Sequence, residues 1–441
     1  MTEQRLKLGP IGLEPGVLPR HVLCYLFAAF ISIGVYTYLV TLTPFVFNVN
    51  LGLADSDQGR VAGDLQFYQE IVLLFTLGFW GVLSDRIGRR LVYVTGFLIL
   101  FVAYALYAFA TTPQELIAYR LVFALGISST TTCLAAILAD YADPKSRGKL
   151  TGIAFFLNGL GAIAFNLGLA RLPSILSNRG VEELWAGRYS YLVVAGTCML
   201  AAVIMLGLKP GRPDNTAPKT PVLKLLMEGV AAGRNVRISL SYLSAFAARA
   251  DMVIVTLFLG LWVVQAASSD TVSTAEATAR AGMIIGTLQI ASVIWAPIFG
   301  FIADRMDKLT LLVVAFAIAT LGYGWVATVD DILSPLAIPA LLLLGMGLSS
   351  SQLAATVLLA QESPARIRGS TFGMQAFCGA WGILMISYGG GRLYDAFGPN
   401  APFIAVAAAN GVVLLCAAGR RLAELRPGSR ATTVAAADSP P

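Results

Sequence analysis

Several charged side chains lie within long apolar stretches of this sequence, where a charge is energetically unfavourable. Four of them are Glu70, Arg120, Arg249 and Asp251. A charged residue at the centre of a membrane helix costs about 2.5–3.5 kcal/mol on the insertion scale. A carboxylate in such a place can bind and release a proton, and a guanidinium can pair with an anionic or zwitterionic solute. These residues are therefore the first candidates for solute recognition and proton coupling.

Neutral polar side chains in the same kind of stretch are further candidates for binding a solute. They are Gln66, Tyr36, Gln289, Gln352 and Gln375. Gln66 precedes Glu70 by one helical turn and shares its face. Each of these side chains could instead serve helix packing, so a role as solute ligand is an expectation to be tested.

Structural alternatives stay open for the charged residues. Arg249 and Asp251 are two positions apart, so they point to roughly opposite sides of a helix. At least one of them is expected to reach another helix or a wet cavity, and either could belong to a structural ion pair. Arg120 could snorkel to the membrane interface. Glu70 and Arg120 are predicted to lie at matching depths and to form a pair.

The composition excludes a soluble protein. Hydrophobic residues make up 57% and charged residues 13%, whereas charged residues are about 25% of a typical soluble domain. The five cysteines lie in apolar runs and there is a single histidine, so no metal site, cofactor or disulfide framework is expected. The first 20 residues lack an apolar core, so no cleaved signal peptide is expected.

Twelve stretches are apolar enough to span a bilayer, which requires about 20 residues. They lie at 22–46, 61–83, 91–111, 114–139, 150–175, 189–208, 239–264, 281–303, 309–328, 335–360, 370–391 and 402–419. Alternate connections and the two ends hold 23 Lys and Arg residues, and the remaining connections hold 5. This asymmetry predicts an integral protein of the cell (inner) membrane with both termini in the cytoplasm. It also explains the net charge of +6 by topology, so no nucleic-acid partner is expected.

The predicted organisation has two bundles of six helices. It comprises a cytoplasmic N-terminus (1–21), a first bundle (22–208), a cytoplasmic linker with an amphipathic helix (209–238), a second bundle (239–419) and a disordered cytoplasmic tail (420–441). The halves repeat each other. Residues 81–86 (GVLSDR) correspond to 300–305 (GFIADR), and 126–129 (GISS) correspond to 347–350 (GLSS). Parallel repeats of this kind are typical of transporters with a solute site near the midplane, between the halves.

Residues 81–90 (GVLSDRIGRR) resemble the G-x-L-[SA]-D-R-x-G-R-[RK] signature of the major facilitator superfamily. The resemblance covers roughly residues 20–420, and Asp307 replaces the second glycine in the second copy. It implies an all-α membrane fold of twelve transmembrane helices, in two six-helix bundles related by pseudo-two-fold symmetry. It also implies gating residues on the cytoplasmic side, namely Gly81, Asp85, Arg86, Gly88, Arg89, Arg147, Asp304, Arg305 and Arg368.

A second motif lies in the fourth span. Residues 120–126 resemble the R-x-x-x-G-x-G pattern of the same family, with Ala124 in place of the first glycine. In related transporters this arginine is implicated in substrate or proton coupling, and the resemblance extends that role to Arg120. Gly81 is expected to let helices approach closely.

These features predict a secondary active transporter, not an enzyme. It would move a small organic solute by alternating access, with protons as the coupling ion, as a monomer in the lipid bilayer. A multidrug/proton antiporter is the alternative within the family, although the fifth span lacks the G-P-x-x-G motif of antiporters. A non-transporting receptor or scaffold is the alternative of another class. The solute and the direction of transport stay open.

Overall fold

The computed structural model describes residues 7–9, 11–143, 146–211, 222–268, 272–364 and 367–425 of the 441-residue chain. Helices dominate these residues, because a backbone in hydrocarbon must satisfy its polar groups within the helix itself. The helices are α1 (Pro19–Phe45), α2 (Asp55–Ile87), α3 (Arg89–Tyr107), α4 (Pro113–Tyr141), α5 (Arg147–Ile163), α6 (Leu172–Ser177), α7 (Glu183–Met205), α8 (Val222–Ala232), α9 (Val236–Val253), α10 (Leu259–Ala267), α11 (Thr274–Arg305), α12 (Lys308–Ala327), α13 (Ile338–Glu362), α14 (Arg368–Phe397) and α15 (Ala401–Leu425).

Each of the twelve predicted spans lies on a helical stretch. Wider π turns occur at Val46–Asn50 after α1, at Ala164–Gly168 after α5 and at Ile254–Phe258 between α9 and α10. Eleven helical stretches in the described part of the chain are long and apolar enough to cross a membrane. The predicted span at 370–391 lies on α14, which is not one of these eleven stretches. Helix α14 is 30 residues long, and its glycines together with Gln375 and Arg392 lower its mean hydropathy.

The chain forms two compact units. Unit 1 comprises Met1–Pro218, Val255–Ile290 and Ser387–Pro399. Its interior lies between α1, α3, α4, α5 and α7. A methyl group at Gly126 of α4 would lie 2.8 Å from the side chain of Leu100 on α3, so the glycine permits this close approach.

An N-terminal strap packs on the connection between α4 and α5 in unit 1. The strands β1 (Lys7–Leu8) and β2 (Ile11–Gly12) pair antiparallel. The Gly12 amide donates to Ser146 Oγ at 2.9 Å, and the Glu14 amide donates to the Tyr141 carbonyl at 3.1 Å. The sequence predicted only a cytoplasmic terminus here, because so short an apolar pattern carries no clear period.

Unit 2 comprises Lys219–Ile254, Ala291–Ile386 and Asn400–Pro441. Its apolar interior lies between α9, α12, α13 and α15. A methyl group at Gly347 of α13 would lie 2.7 Å from Ala319 Cα on α12. Gly126 and Gly347 belong to the repeated signatures, so each copy marks a close helix contact within its own unit.

Two polar contacts in unit 2 join the start of α9 to the ends of α13 and α15. Arg237 donates to Glu362 Oε1 and to Glu424 Oε2, both at 2.7 Å. Helix α8, on the stretch predicted to be an amphipathic helix, packs on α9 through a hydrogen bond of 2.9 Å from the Tyr242 hydroxyl to the Gly229 carbonyl. The predicted apolar face of α8 includes residues 222–226, for which the structure describes the backbone but not the side chains.

The boundaries of the units differ from those of the predicted bundles. Val255–Ile290 and Ser387–Pro399 were predicted to belong to the second bundle, and they pack in unit 1. Glycines permit this packing, because a methyl group at Gly63 would overlap with the Ser387 carbonyl oxygen. Helix α15 continues to Leu425, beyond the predicted start of the tail at 420, and residues 426–441 lie outside the described part.

Two glycines of α5 provide a matched test of helix packing. A methyl group at Gly161 would overlap with the Phe30 carbonyl oxygen of α1, whereas one at Gly152 would meet no atom within 4 Å. We expect Gly161→Ala to lower the free energy of unfolding by about 1–3 kcal/mol, because a backbone carbonyl, unlike a flexible side chain, cannot rotate to relieve the overlap. Gly152→Ala should be neutral or stabilise by about 0.5–1 kcal/mol. Thermal unfolding of the purified variants in detergent measures both, and equal midpoints would contradict the packing.

Candidate functional site

Arg120 is held in the interior of unit 1 by α4. This helix begins after Thr112, whose hydroxyl accepts the Glu115 amide at 3.2 Å, with Pro113 at its first position. Arg120 is 1% exposed, so its side chain does not snorkel. Its Nη2 donates to Gln66 Oε1 of α2 at 3.1 Å. The two predicted site residues are therefore in direct contact.

Several polar atoms around Arg120 are buried and unsatisfied. Among the described residues, Arg120 Nε and Nη1 and both amide atoms of Gln69 have no hydrogen-bond partner of good geometry, and the Tyr107 hydroxyl lies within interaction range of the guanidinium. The ring of Phe123 lies 5.4 Å from the guanidinium carbon. A buried polar group without a partner costs about 1–3 kcal/mol, more for a charged group. Because a guanidinium has five donors and no acceptor, the oxygen atoms of an anion would match this arrangement.

Tyr36 and Glu70 adjoin the same cluster. Gln66 Nε2 donates to the Tyr36 hydroxyl at 3.4 Å, and this hydroxyl lies within electrostatic range of both Arg120 and Glu70. Glu70 is half-buried on α2, one turn after Gln66. The structure thus brings four predicted residues into one cluster, which we call the Arg120 cluster: Tyr36, Gln66, Glu70 and Arg120. A direct pair between Glu70 and Arg120 stays a prediction.

Asp251 lies in a second polar cluster, inside unit 2. It is 0% exposed, and its Oδ1 accepts Asn410 Nδ2 at 2.7 Å. Its Oδ2 lies 3.1 Å from Ser351 Oγ. Arg249 is exposed on the same helix, beside Gly379 of α14. The expectation that at least one of the two charges reaches another helix is confirmed for Asp251.

The neutral candidate residues have different surroundings in the structure. Gln375 Nε2 donates to Ser241 Oγ at 2.8 Å and to the Ala355 carbonyl at 3.0 Å, so its amide joins α14 to α9 and α13. This favours the packing alternative for Gln375 over a ligand role. Gln289 and Gln352 are half-buried in unit 1 and unit 2 respectively.

The first signature motif forms an ion-pair cluster where α2, α3 and α4 meet. Arg89 Nη1 lies 2.8 Å from Asp85 Oδ1, and Arg89 Nε lies 3.1 Å from Asp140 Oδ2. Gly88 has a φ of +100°, which separates α2 from α3 and favours glycine. Gly81 does not behave as expected. A methyl group there would lie 3.8 Å from Thr132 Cγ2, an ordinary contact, so the prediction of a close helix approach at Gly81 is wrong.

The second signature motif is arranged differently. Asp304 and Arg305 are exposed, and the Arg305 guanidinium lies 3.5 Å from the Phe301 ring centroid. Asp307, which replaces the motif's second glycine, accepts the Thr310 amide at 3.1 Å and caps α12. The other predicted gating residues are exposed; they are Arg86, Arg147 and Arg368.

Sequence reasoning missed a polar contact between α2 and α14 in unit 1. Asp395 accepts the backbone amides of Gly59 at 2.9 Å and Arg60 at 2.7 Å. Arg392 Nη1 pairs with Asp64 Oδ1 at 3.1 Å. Arg392 was counted only as a loop charge, because its partner lies more than 300 positions away and no local pattern links them.

Comparison with known proteins identifies a family and several similar proteins. Residues 24–387 match the Major Facilitator Superfamily. The chain is 27% identical to the magnetosome protein MamZ of Magnetospirillum gryphiswaldense over 86% of its own length, and it spans 59% of that protein. It is 25% identical to the magnetosome protein MamH of Paramagnetospirillum magneticum, over 89% of this chain and 90% of MamH.

A solved structure shares the fold. A mutant of the nucleoside transporter NupG superposes with a TM-score of 0.75 at 16% identity, covering 90% of this chain and 99% of NupG. The predicted all-α fold of twelve helices is confirmed. The match over residues 24–387 and the shared fold show that this chain belongs to the major facilitator superfamily of membrane transporters.

Proposed function

We propose that this protein is a proton-coupled secondary transporter for a small organic anion, which it moves by alternating access. The observation that carries the proposal is the buried Arg120 guanidinium, two of whose nitrogens have no partner among the described residues. A carboxylate or phosphate oxygen would satisfy them, and in a site of low dielectric such a pair is strong. Family membership supports transport rather than a receptor role.

Proton coupling follows from the position of Glu70 in the Arg120 cluster. An anion that binds at Arg120 approaches the Glu70 carboxylate, and like charges favour the protonated form of the carboxyl. By linkage, a proton on Glu70 then strengthens binding of the anion to the same degree. This reciprocal effect favours the symport of anion and proton over antiport.

A panel of labelled solutes in proteoliposomes tests this proposal. Carboxylates and phosphate esters would be compared with their neutral and cationic analogues, with and without an imposed pH gradient. We expect uptake of at least one anion, accelerated by a gradient that is acidic on the side of entry. Transport confined to cations or neutral solutes would contradict the anion proposal, and transport indifferent to pH would contradict the coupling.

Arg120 variants should separate charge from geometry. Arg120→Ala should lower kcat/KM for the anion about 100-fold, because a charged hydrogen bond contributes about 1.5–3 kcal/mol and each factor of ten is 1.36 kcal/mol. Arg120→Lys should recover part of this loss, since the charge is restored without the fork of donors. Arg171 is an exposed arginine in the same unit, so Arg171→Ala is the matched control. An equal loss in the Arg171 and Arg120 variants would contradict the specific role.

Glu70→Gln should uncouple transport from the proton. The amide cannot exchange a proton, so we expect anion exchange without a gradient to survive while gradient-driven accumulation disappears. Solute-driven proton movement, followed with a pH-sensitive dye inside the vesicles, is the measurement. Unchanged proton movement in Glu70→Gln would exclude Glu70 as the carrier.

We further propose that Asp85, Arg89 and Asp140 act as a cytoplasmic gate and bind no solute. The Arg89 guanidinium joins charges at the ends of three helices. These ion pairs would break and form again as the helix ends move. Asp304 is the corresponding aspartate of the second motif and is itself a predicted gating residue. Because it is exposed and forms no ion pair with a described residue, Asp304→Asn tests whether gating requires the ion pair or only the motif position. Asp85→Asn should slow turnover severalfold and leave solute affinity nearly intact, as measured by equilibrium binding and single-turnover flux. A selective loss of affinity in Asp85→Asn would contradict the gate.

A further inference from the structure

The Asp251 carboxyl is buried without a cation. Among the described residues, no lysine or arginine nitrogen lies within ion-pair distance of it, and Arg249 on its own helix is exposed. The same helices α9, α12 and α15 contribute Ala247, Phe316 and Val413 to the apolar core cluster of unit 2. An ionised carboxylate in such a place costs several kcal/mol unless hydrogen bonds compensate it. A structural ion pair, the earlier alternative for Asp251, therefore lacks its second member.

Both hydrogen-bonding neighbours of Asp251 can either donate or accept. Ser351 Oγ lies 3.1 Å from Asp251 Oδ2 and 3.2 Å from the Leu348 carbonyl, but its hydroxyl carries a single proton. When Ser351 donates to Asp251, the carboxylate is ionised and satisfied. When Ser351 donates to Leu348, its oxygen can accept a proton that Asp251 itself carries.

Asn410 offers the same choice. Its Nδ2 donates to Asp251 Oδ1 at 2.7 Å, while its buried Oδ1 has no partner among the described residues. Rotation of the amide would present that oxygen to a protonated Asp251 as an acceptor. The two neighbours thus satisfy the charged and the neutral carboxyl alike, which a site with fixed donors cannot do.

We propose that Asp251, Ser351 and Asn410 form a proton-binding site inside unit 2, separate from the Arg120 cluster of unit 1. A titratable group in the described part of the chain that contacts the Asp251 backbone is Tyr323 of α12, whose hydroxyl donates to the Asp251 carbonyl at 3.0 Å. Ser351 of α13 and Asn410 of α15 carry no charge. The site joins three helices at the level where α9 gives way to the π turn Ile254–Phe258, so a change in its protonation alters contacts between α9, α13 and α15. The inference deepens the proposed proton coupling, but its test requires no transport.

Infrared difference spectroscopy of the purified full chain tests the site directly. Spectra between about pH 6 and about pH 9 exclude exposed carboxyls, whose pKa is about 4. We expect the wild type to show a carbonyl band of a protonated carboxyl that shifts in deuterium oxide and disappears in Asp251→Asn. Asp304→Asn, which alters an exposed carboxyl of unit 2, should leave the band unchanged. A wild type without the band, or a band that persists in Asp251→Asn, would overturn the proposal.

Ser351→Ala keeps the test decisive if Asp251→Asn does not fold. It retains the carboxyl and removes one partner, so the band should shift in frequency; an unmoved band in folded Ser351→Ala would overturn the assignment. Monodispersity and thermal unfolding in detergent establish folding for each variant. The fate of the band does not depend on whether Arg120 binds an anion, so failure of this site and failure of the proposed function are distinguishable.

Discussion

Every polar group of this protein that lies at membrane depth must find its partner inside the protein. The backbone meets this requirement by forming helices, and two of the charged side chains, Arg120 and Asp251, meet it by turning inward. Arg120 and Asp251 are 1% and 0% exposed, each inside a different unit. They resolve the constraint in different ways. The carboxyl of Asp251 is surrounded by neighbours that suit either protonation state, whereas the guanidinium of Arg120 keeps donors that the described residues leave unsatisfied.

The two halves of the sequence share repeated motifs, but the charged residues of those motifs make different contacts. The glycines at 126 and 347 make equivalent helix contacts within their units, so this part of the repeated sequence marks a repeated packing contact. The two copies of the signature motif differ. In the first, Arg89 joins two aspartates, while in the second Asp307 serves as a helix cap. The two loops therefore differ in their contacts: the first holds an ion-pair cluster, and the second provides a helix cap.

Local pattern explains what the sequence could predict. Apolar length, loop charge and repeated motifs each depend on neighbouring residues, and they located the helices and the family and named Arg120 and Gln66 as candidate site residues. The direct contact between these two side chains was not predicted. Pairings between distant residues leave no such local trace. Asn410 is separated from Asp251 by 159 positions, and the amides that Asp395 accepts are 335 and 336 positions away. The prediction for Gly81 was wrong because a motif position was assigned the packing role that glycines play elsewhere in the chain.

The proposed anion transport requires the Arg120 guanidinium to bind a negatively charged group. Ligand-induced thermal stabilisation of the purified protein measures this directly, because a ligand at free concentration L that binds only the folded state stabilises it by RT ln(1 + L/Kd) and so raises the unfolding midpoint. Pairs of solutes that differ only in a carboxylate and its primary amide would be compared on the same preparation. We expect stabilisation by at least one carboxylate, none by the matching amide, and loss of the difference in Arg120→Ala. Stabilisation by an amide equal to that by its carboxylate would contradict it.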